Sequence, residues 1–290
     1  MSVAGGLPFA VARAHLHGCE TLQIFSKNAS QWRARPLPPQ EVAAFRQAAS
    51  KTGIQPILAH ASYLINIATT DPALRARSIA ALGEEIDRAE ALELLGVVLH
   101  PGARMTAPAD EAIALIASAL DQVLKERPRG KAMILLEHTA GQGSAMGASF
   151  EELAAMLDGV KKNGTRLGVC LDTCHLLASG YDLCAEEGYR TTFDRFATLI
   201  GFDRLKVFHL NDSKKPCMSR VDRHEHIGRG CIGLEPFRRL LNDPRFAHLP
   251  MILETEKTDS RDRGKVALDP LDEMNLNTLR SLRDENRTGD

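Results

Sequence analysis

RLGVCLDTCHLLASG, residues 166–180, is the stretch whose reading decides the fold. Its apolar part, LGVCLD (167–172), has the continuous hydrophobicity of a strand buried on both faces. It stops at an aspartate, and the chain turns at once into Thr173, Cys174 and His175. A strand buried on both faces belongs to a parallel sheet covered by helices. Six further runs share the pattern: TLQIF (21–25), IQPILA (54–59), GVVLH (96–100), AMILLE (132–137), LKVFHL (205–210) and MILET (251–255). Between them lie helical stretches such as PPQEVAAFRQAASKTG and DPALRARSIAALGEEIDRAEALELLG. The second carries Asp71 and Pro72 as cap and first turn, with Gly96 as its expected stop. Strands alternating with helices, without a Pro/Ser/Gly-rich linker, predict an α/β fold and one domain over 1–290. The number of strands favours a closed TIM-type (β/α)8 barrel over an open sheet.

Composition excludes several classes. The 290 residues are 44% hydrophobic and 25% charged with a formal net charge of -1, so no global basic signal points to nucleic acid, and such binding would need a local patch. The N-terminal MSVAGGLPFAVARAH lacks the charged head and long apolar core of a secretory signal, and no apolar run approaches a membrane span. A soluble cytoplasmic protein, a monomer, is expected. Six cysteines without a Cys-x-x-Cys pair read as reduced thiols, Cys170 among them as a small buried hydrophobe.

The strand ends carry the chemistry. His60 follows PILA, His100 ends GVVL, Glu137 ends MILL, Asp172 ends GVCL, His209 sits in KVFHLND and Glu254 ends MIL. In a barrel all such ends meet at one face, where active sites are built. His175 follows Asp172 by three residues, and Asp222 and His224 alternate within VDRHEH, so they point the same way in an extended loop. Taken singly, a strand-end histidine is ordinarily a hydrogen-bonded structural residue and an aspartate before a helix a cap. Together, five imidazoles and four carboxylates at one mouth form a mixed N/O set suited to Zn, Mn or Fe rather than Ca or Mg. Nine ligands are too many for one ion and enough for two or three. Three divalent ions against four carboxylates leave a net positive cluster that suits an anionic substrate such as phosphate.

LAHASYLINIAT, LHPG, LEHTAGQG, CLDTCH, FHLNDSK, RVDRHEHIG and LETEK together resemble the endonuclease IV family of apurinic/apyrimidinic endonucleases, over nearly the whole chain. The resemblance implies a barrel holding three Zn2+ ions, with Mn2+ or Fe at some sites. It further implies a DNA repair activity that cuts double-stranded DNA 5′ to an abasic site, leaves a 3′-hydroxyl and clears blocked 3′ ends. Carried over by position, it implies that His60 and His100 hold one metal and that Glu137 bridges it to a second. Asp172, His209 and Glu254 would complete the second site, and His175, Asp222 and His224 the third. Glu137 and Glu254 would be the catalytic carboxylates, Glu254 orienting the nucleophile or accepting its proton.

SKNASQW (26–32) and SYL (62–64) match loops with which the family enters the minor groove. Gln31, Trp32, Tyr63 and Leu64 are the expected DNA contacts, and Arg223 in the basic loop 211–230 an expected phosphate contact. As a plain surface feature, the first loop would simply pack Trp32 on its neighbours. Two positions depart from the family: Ser30, where several members carry a basic residue, and His138, where asparagine is common. A sugar isomerase or epimerase on a related barrel uses a subset of these ligands but has no use for His60, His100, Asp222 and His224. A decayed, non-enzymatic DNA-lesion binder would not keep the full set. The first strand of the barrel is expected to be missing, because the chain passes from MSVAGGL straight into the helix PFAVARAHLHG.

Overall fold

The structure is a computed structural model that describes residues 1–161, 164–258 and 264–283. In chain order the elements are α1 (Leu7–Leu16), β1 (Leu22–Ile24), α2 (Pro39–Thr52), β2 (Ile57–His60), α3 (Pro72–Leu92), β3 (Gly96–Leu99), α4 (Ala109–Lys125) and β4 (Met133–Glu137). There follow α5 (Phe150–Asp158), β5 (Leu167–Asp172), α6 (Thr173–Ser179), α7 (Glu186–Leu199), β6 (Leu205–His209), β7 (Asp212–Ser213), β8 (His224–Glu225), α8 (Leu234–Asn242), β9 (Met251–Ile252) and α9 (Pro270–Leu282). None of the described helices is long and apolar enough to cross a membrane.

Seven strands pair in parallel in the order β1-β2-β3-β4-β5-β6-β9, as the runs of apolar residues predict, while β7 and β8 form a separate antiparallel ribbon. The sheet is a nearly closed TIM-type barrel. Its layering explains the motif pattern. Leu58, Val98, Leu135, Cys170, Val207 and Ile252, one from each of β2 to β6 and β9, fill the barrel interior. Adding two to each number gives His60, His100, Glu137, Asp172, His209 and Glu254. Side chains two apart on a strand share a face, so each interior hydrophobe sits directly below a polar residue at the mouth. The helices cover the outside, and their apolar faces join the outward strand residues in one core running from Leu7 to Leu282.

The expected absence of the first strand takes the form of an open seam. No backbone pairing joins β1 to β9 among the described residues. Between them lies a cavity of about 680 Å³ whose lining includes Leu22, Gln23, Leu210, Met251 and Leu253. The Met1 amino group donates to Gln23 O at 2.6 Å. The residues after it turn away rather than extend: Gly6 N donates to Val3 O, and the Arg13 guanidinium takes the carbonyls of Ser2 and Ala4 at 2.8 Å.

Two local expectations need correction. Asp71 does cap α3, accepting from Ala73 N and Leu74 N, but Gly96 is not its stop. The helix ends in Glu93 at φ 58, and Gly96 opens β3, where an added Cβ would meet Met133 O at 2.5 Å. The glycine is there for close approach of two strands, not for a turn. MILET pairs over Met251 and Ile252 alone, since Phe208 and His209 are its partners and the other side faces the seam.

Candidate metal centre

Ligand-type side chains gather at the barrel mouth in three groups whose ligand atoms lie within 4.8 Å of one another: His60, His100 and Glu137; Glu137, Asp172, His209 and Glu254; and His175, Asp222 and His224. The individual gaps are short. Glu137 Oε2 is 3.2 Å from His60 Nε2 and 3.1 Å from His100 Nε2, while Glu137 Oε1 is 3.2 Å from His209 Nδ1. His209 Nδ1 is also 3.1 Å from Glu254 Oε2. Asp222 presents one oxygen to His175 Nε2 and the other to His224 Nε2, each at 3.2 Å. Asp172 Oδ2 lies between the second and third groups, 3.9 Å from His209 Nδ1 and 3.7 Å from His224 Nε2. Ligands about 2.0–2.1 Å from a tetrahedral ion stand roughly 3.3–3.4 Å apart, so these gaps fit donor atoms aimed at shared ions.

Hydrogen bonding orients the rings. His60 Nδ1 donates to Ala61 O at 2.7 Å, His175 Nδ1 to His138 O at 2.9 Å, His224 Nδ1 to Glu254 O at 3.2 Å, and His209 Nε2 to Gln23 Oε1 at 2.9 Å. Each bond fixes one nitrogen and turns the other toward the cluster, as in histidines built to bind metal. Among the described residues, the buried His175 Nε2 and His224 Nε2 have no hydrogen-bond partner, despite their ion-pair proximity to Asp222. Buried polar atoms in that state are ones that a bound ion or water would satisfy.

Electrostatics agree. Burial alone would raise the Glu137 carboxyl, yet His100 and His209 hold it well below the usual range; burial likewise opposes Glu254, which His209 pulls to about 2. Burial would lower His224, but Asp172 and Asp222 push it up to about 9. Cys170 lies within the same 4.8 Å of Glu137 and His209, and Cys174 of Asp172 and His224; desolvation raises both thiols to about 12, which disfavours the thiolate. Cys170 is fully buried and packs as the expected small hydrophobe. His138 is not in any of the groups. Burial drives it down to about 3, and its Nε2 lies 3.1 Å from Ala148 O.

Backbone and polar residues that the motif reading passed over support the centre. Asp172 is both a cluster carboxylate and the N-cap of α6, accepting from His175 N at 3.0 Å, so its two roles coexist. Asn211 donates from Nδ2 to Asp172 Oδ2 at 2.6 Å and accepts from Glu254 N at 2.9 Å. The fully buried Asp212 accepts from the backbone of Gly230, Ile232 and Gly233. The β7–β8 ribbon brings His224 back over the barrel. Gln23 reaches across the seam, donating from Nε2 to Glu254 Oε1 at 2.6 Å. One signal was available: Gln23 is a lone polar residue inside an apolar run.

Of the expected DNA contacts, Tyr63 stands at the cluster, 60% exposed, its ring centroid 5.3 Å from that of His60 and 6.0 Å from that of His100. Leu64 beside it is half-buried. Gln31 is exposed, and Trp32 is half-buried with the Arg77 guanidinium 4.3 Å from its ring centroid. Ser30 is exposed in the same loop, and Arg223 is exposed between Asp222 and His224.

Comparison with known proteins places this geometry. Residues 11–277 match the xylose isomerase-like TIM barrel family. A probable endonuclease 4 of Chloroflexus aurantiacus is 48% identical over 97% of this chain and 96% of its own. The crystal structure of endonuclease IV from Thermus thermophilus superposes with a TM-score of 0.83 at 35% identity, covering 97% of this chain and 96% of that one. A D-psicose 3-epimerase structure shares the fold, with a TM-score of 0.66 at 17% identity over 94% of this chain and 91% of its own. The chain belongs to the endonuclease IV family of xylose isomerase-like TIM barrels.

Proposed function

We propose that the protein is a DNA repair nuclease of base excision repair, hydrolysing the phosphodiester 5′ to an abasic site and clearing blocked 3′ ends, with 1–290 acting as one barrel domain. The observation that carries this reading is the gathering of His60, His100, Glu137, Asp172, His175, His209, Asp222, His224 and Glu254 into three donor groups at one mouth of an endonuclease IV barrel. Zinc is the favoured occupant of each group, from the mixed imidazole and carboxylate donors. When bound, such ions lower the pKa of water and neutralise charge on phosphate and leaving oxygen.

The remaining work falls to the chain. Glu137 directs one oxygen toward each of two groups and so fixes their spacing. Glu254, held ionised beside His209, is placed to accept the nucleophile's proton. Asn211 and Gln23 keep the Asp172 and Glu254 carboxylates from turning away. Tyr63, Leu64, Gln31 and Trp32 ring the approach as unstacking residues, and Arg223 as a phosphate contact. The protein is read as a cytoplasmic monomer acting on double-stranded DNA.

The test is a duplex with one tetrahydrofuran abasic analogue, which resists β-elimination. Incision that leaves a 3′-hydroxyl, lost on chelation, supports the reading. An uncut duplex, with one or two metals per chain rather than three, favours a sugar isomerase instead.

A further inference from the structure

Away from the candidate metal ligands, a second buried charge cluster lies under the two loops beside the mouth. Glu85 on α3 is 1% exposed, and its carboxylate touches both loops. Oε2 accepts from Ser26 Oγ at 2.9 Å in the loop after β1, and Oε1 accepts from Ser62 N at 3.2 Å in the loop after β2. Lys27 Nζ is 3.7 Å from Oε1. Arg88, one turn further along α3, donates from Nε to Ser26 Oγ at 3.0 Å, from Nη2 to Ser26 O, and from Nη1 to Arg35 O at 2.9 Å. The loops also bind each other directly, Ser62 Oγ donating to Ala29 O at 2.6 Å.

The same helix secures what lies on either side. Arg77 stacks on Trp32, and Ser78 Oγ accepts from Asn66 N at 3.0 Å. Ser78 and Glu85 are seven residues apart and so lie on one helix face. A carboxylate this deep carries a desolvation cost, and burial raises its pKa; Ser26, Ser62, Lys27 and Arg88 offset that cost. What the carboxylate adds is a two-pronged acceptor that engages separate loops at once.

We propose that Glu85 is a positioning residue that locks the 26–35 and 61–67 loops into a single preformed edge beside the metal centre. That this edge meets DNA rests on the nuclease reading; the lock itself does not. Preformed loops spare the ordering cost on binding, so loosening them weakens substrate capture and leaves the chemical step alone.

The test compares wild type with Glu85→Gln and, because that variant can fail to fold, with Ser62→Ala, which cuts the loop-to-loop bond and leaves the carboxylate in place. Trp32 is the sole tryptophan, so acrylamide quenching of fluorescence reports the edge without any activity. Quenching should rise in both variants with metal content per chain unchanged. On the tetrahydrofuran duplex KM should rise roughly tenfold for Glu85→Gln and about threefold for Ser62→Ala, with kcat within about twofold. A folded variant with wild-type quenching and KM overturns the proposal, as does a fall in kcat or metal content alone. If wild type leaves the duplex uncut, the nuclease reading fails, and the quenching comparison still decides the lock.

Discussion

Glu137 and Glu85 are both buried carboxylates, 0% and 1% exposed, within one barrel, yet their surroundings differ in kind. Glu137 faces imidazoles, and those of His60 and His209 each have one nitrogen tied to a backbone or amide acceptor and the other turned inward. Glu85 faces a hydroxyl, an amide N–H and an ammonium, all of them donors, and the Arg88 guanidinium donates to that same hydroxyl. The first environment holds lone pairs that an ion can use; the second is already satisfied. Burial of an acid therefore does not mark a metal site. Free lone pairs converging on it do.

The comparison breaks most sharply at Glu137. Glu137→Gln should lower the rate of incision on the order of a hundredfold to a thousandfold and reduce bound metal, while retaining duplex affinity. Near-normal turnover would mean the imidazoles are not organised around that carboxylate. Gln23→Ala, which removes the amide between His209 and Glu254, should cost about tenfold to a hundredfold in metal affinity or activity, read by competition with a chromophoric chelator. Unchanged metal affinity would make Gln23 a bystander.

A pH series sharpens the contrast in the chelator-treated protein. Because Asp172 and Asp222 raise His224 to about 9 in the fold, against 6.5 unfolded, its stabilisation is complete below 6.5 and is lost as pH rises toward 9. Asp222 and Glu254, lowered by their histidine partners against burial, contribute the opposite way, and their share disappears as pH falls through their depressed values. Melting temperature without metal should thus decline from pH 6.5 to 9, and metal uptake should release protons. A rising melting temperature over that window contradicts the assignment. The smallest effect is expected at the rim: Arg223→Ala should weaken duplex binding several-fold and reduce the salt slope by about 1. An unchanged slope would remove Arg223 from the phosphate contacts.

The strands and the donor residues at their ends were legible because two local rules act together: apolar runs make buried parallel strands, and a residue two beyond an inward hydrophobe shares its direction. Leu58 with His60, or Val207 with His209, needs no knowledge of the rest of the chain. Asn211 and Asp212 were not legible, and Gln23 showed only as a lone polar residue in an apolar run, because what makes each important is a partner more than fifteen residues away. Gly96 misled for a related reason. The helix stop fell to Glu93, and the need for a glycine at 96 arises from Met133 on another strand. Glu85 reads in sequence as one more charge on an amphipathic helix, and its two serines lie 59 and 23 residues off.

The seam gives the barrel a preferred direction of failure. A complete hoop shares load around its circumference, but here, among the described residues, the circuit of backbone hydrogen bonds is cut between β1 and β9. Near the mouth, the Gln23 amide is a clasp over the cut, gripping Glu254 and His209 on the far side. Ions seated on those two ligands would add their binding free energy to the clasp. Heating should then unzip the protein along this one meridian before the rest loosens, and occupancy of the second donor group sets the temperature at which the zip starts to run.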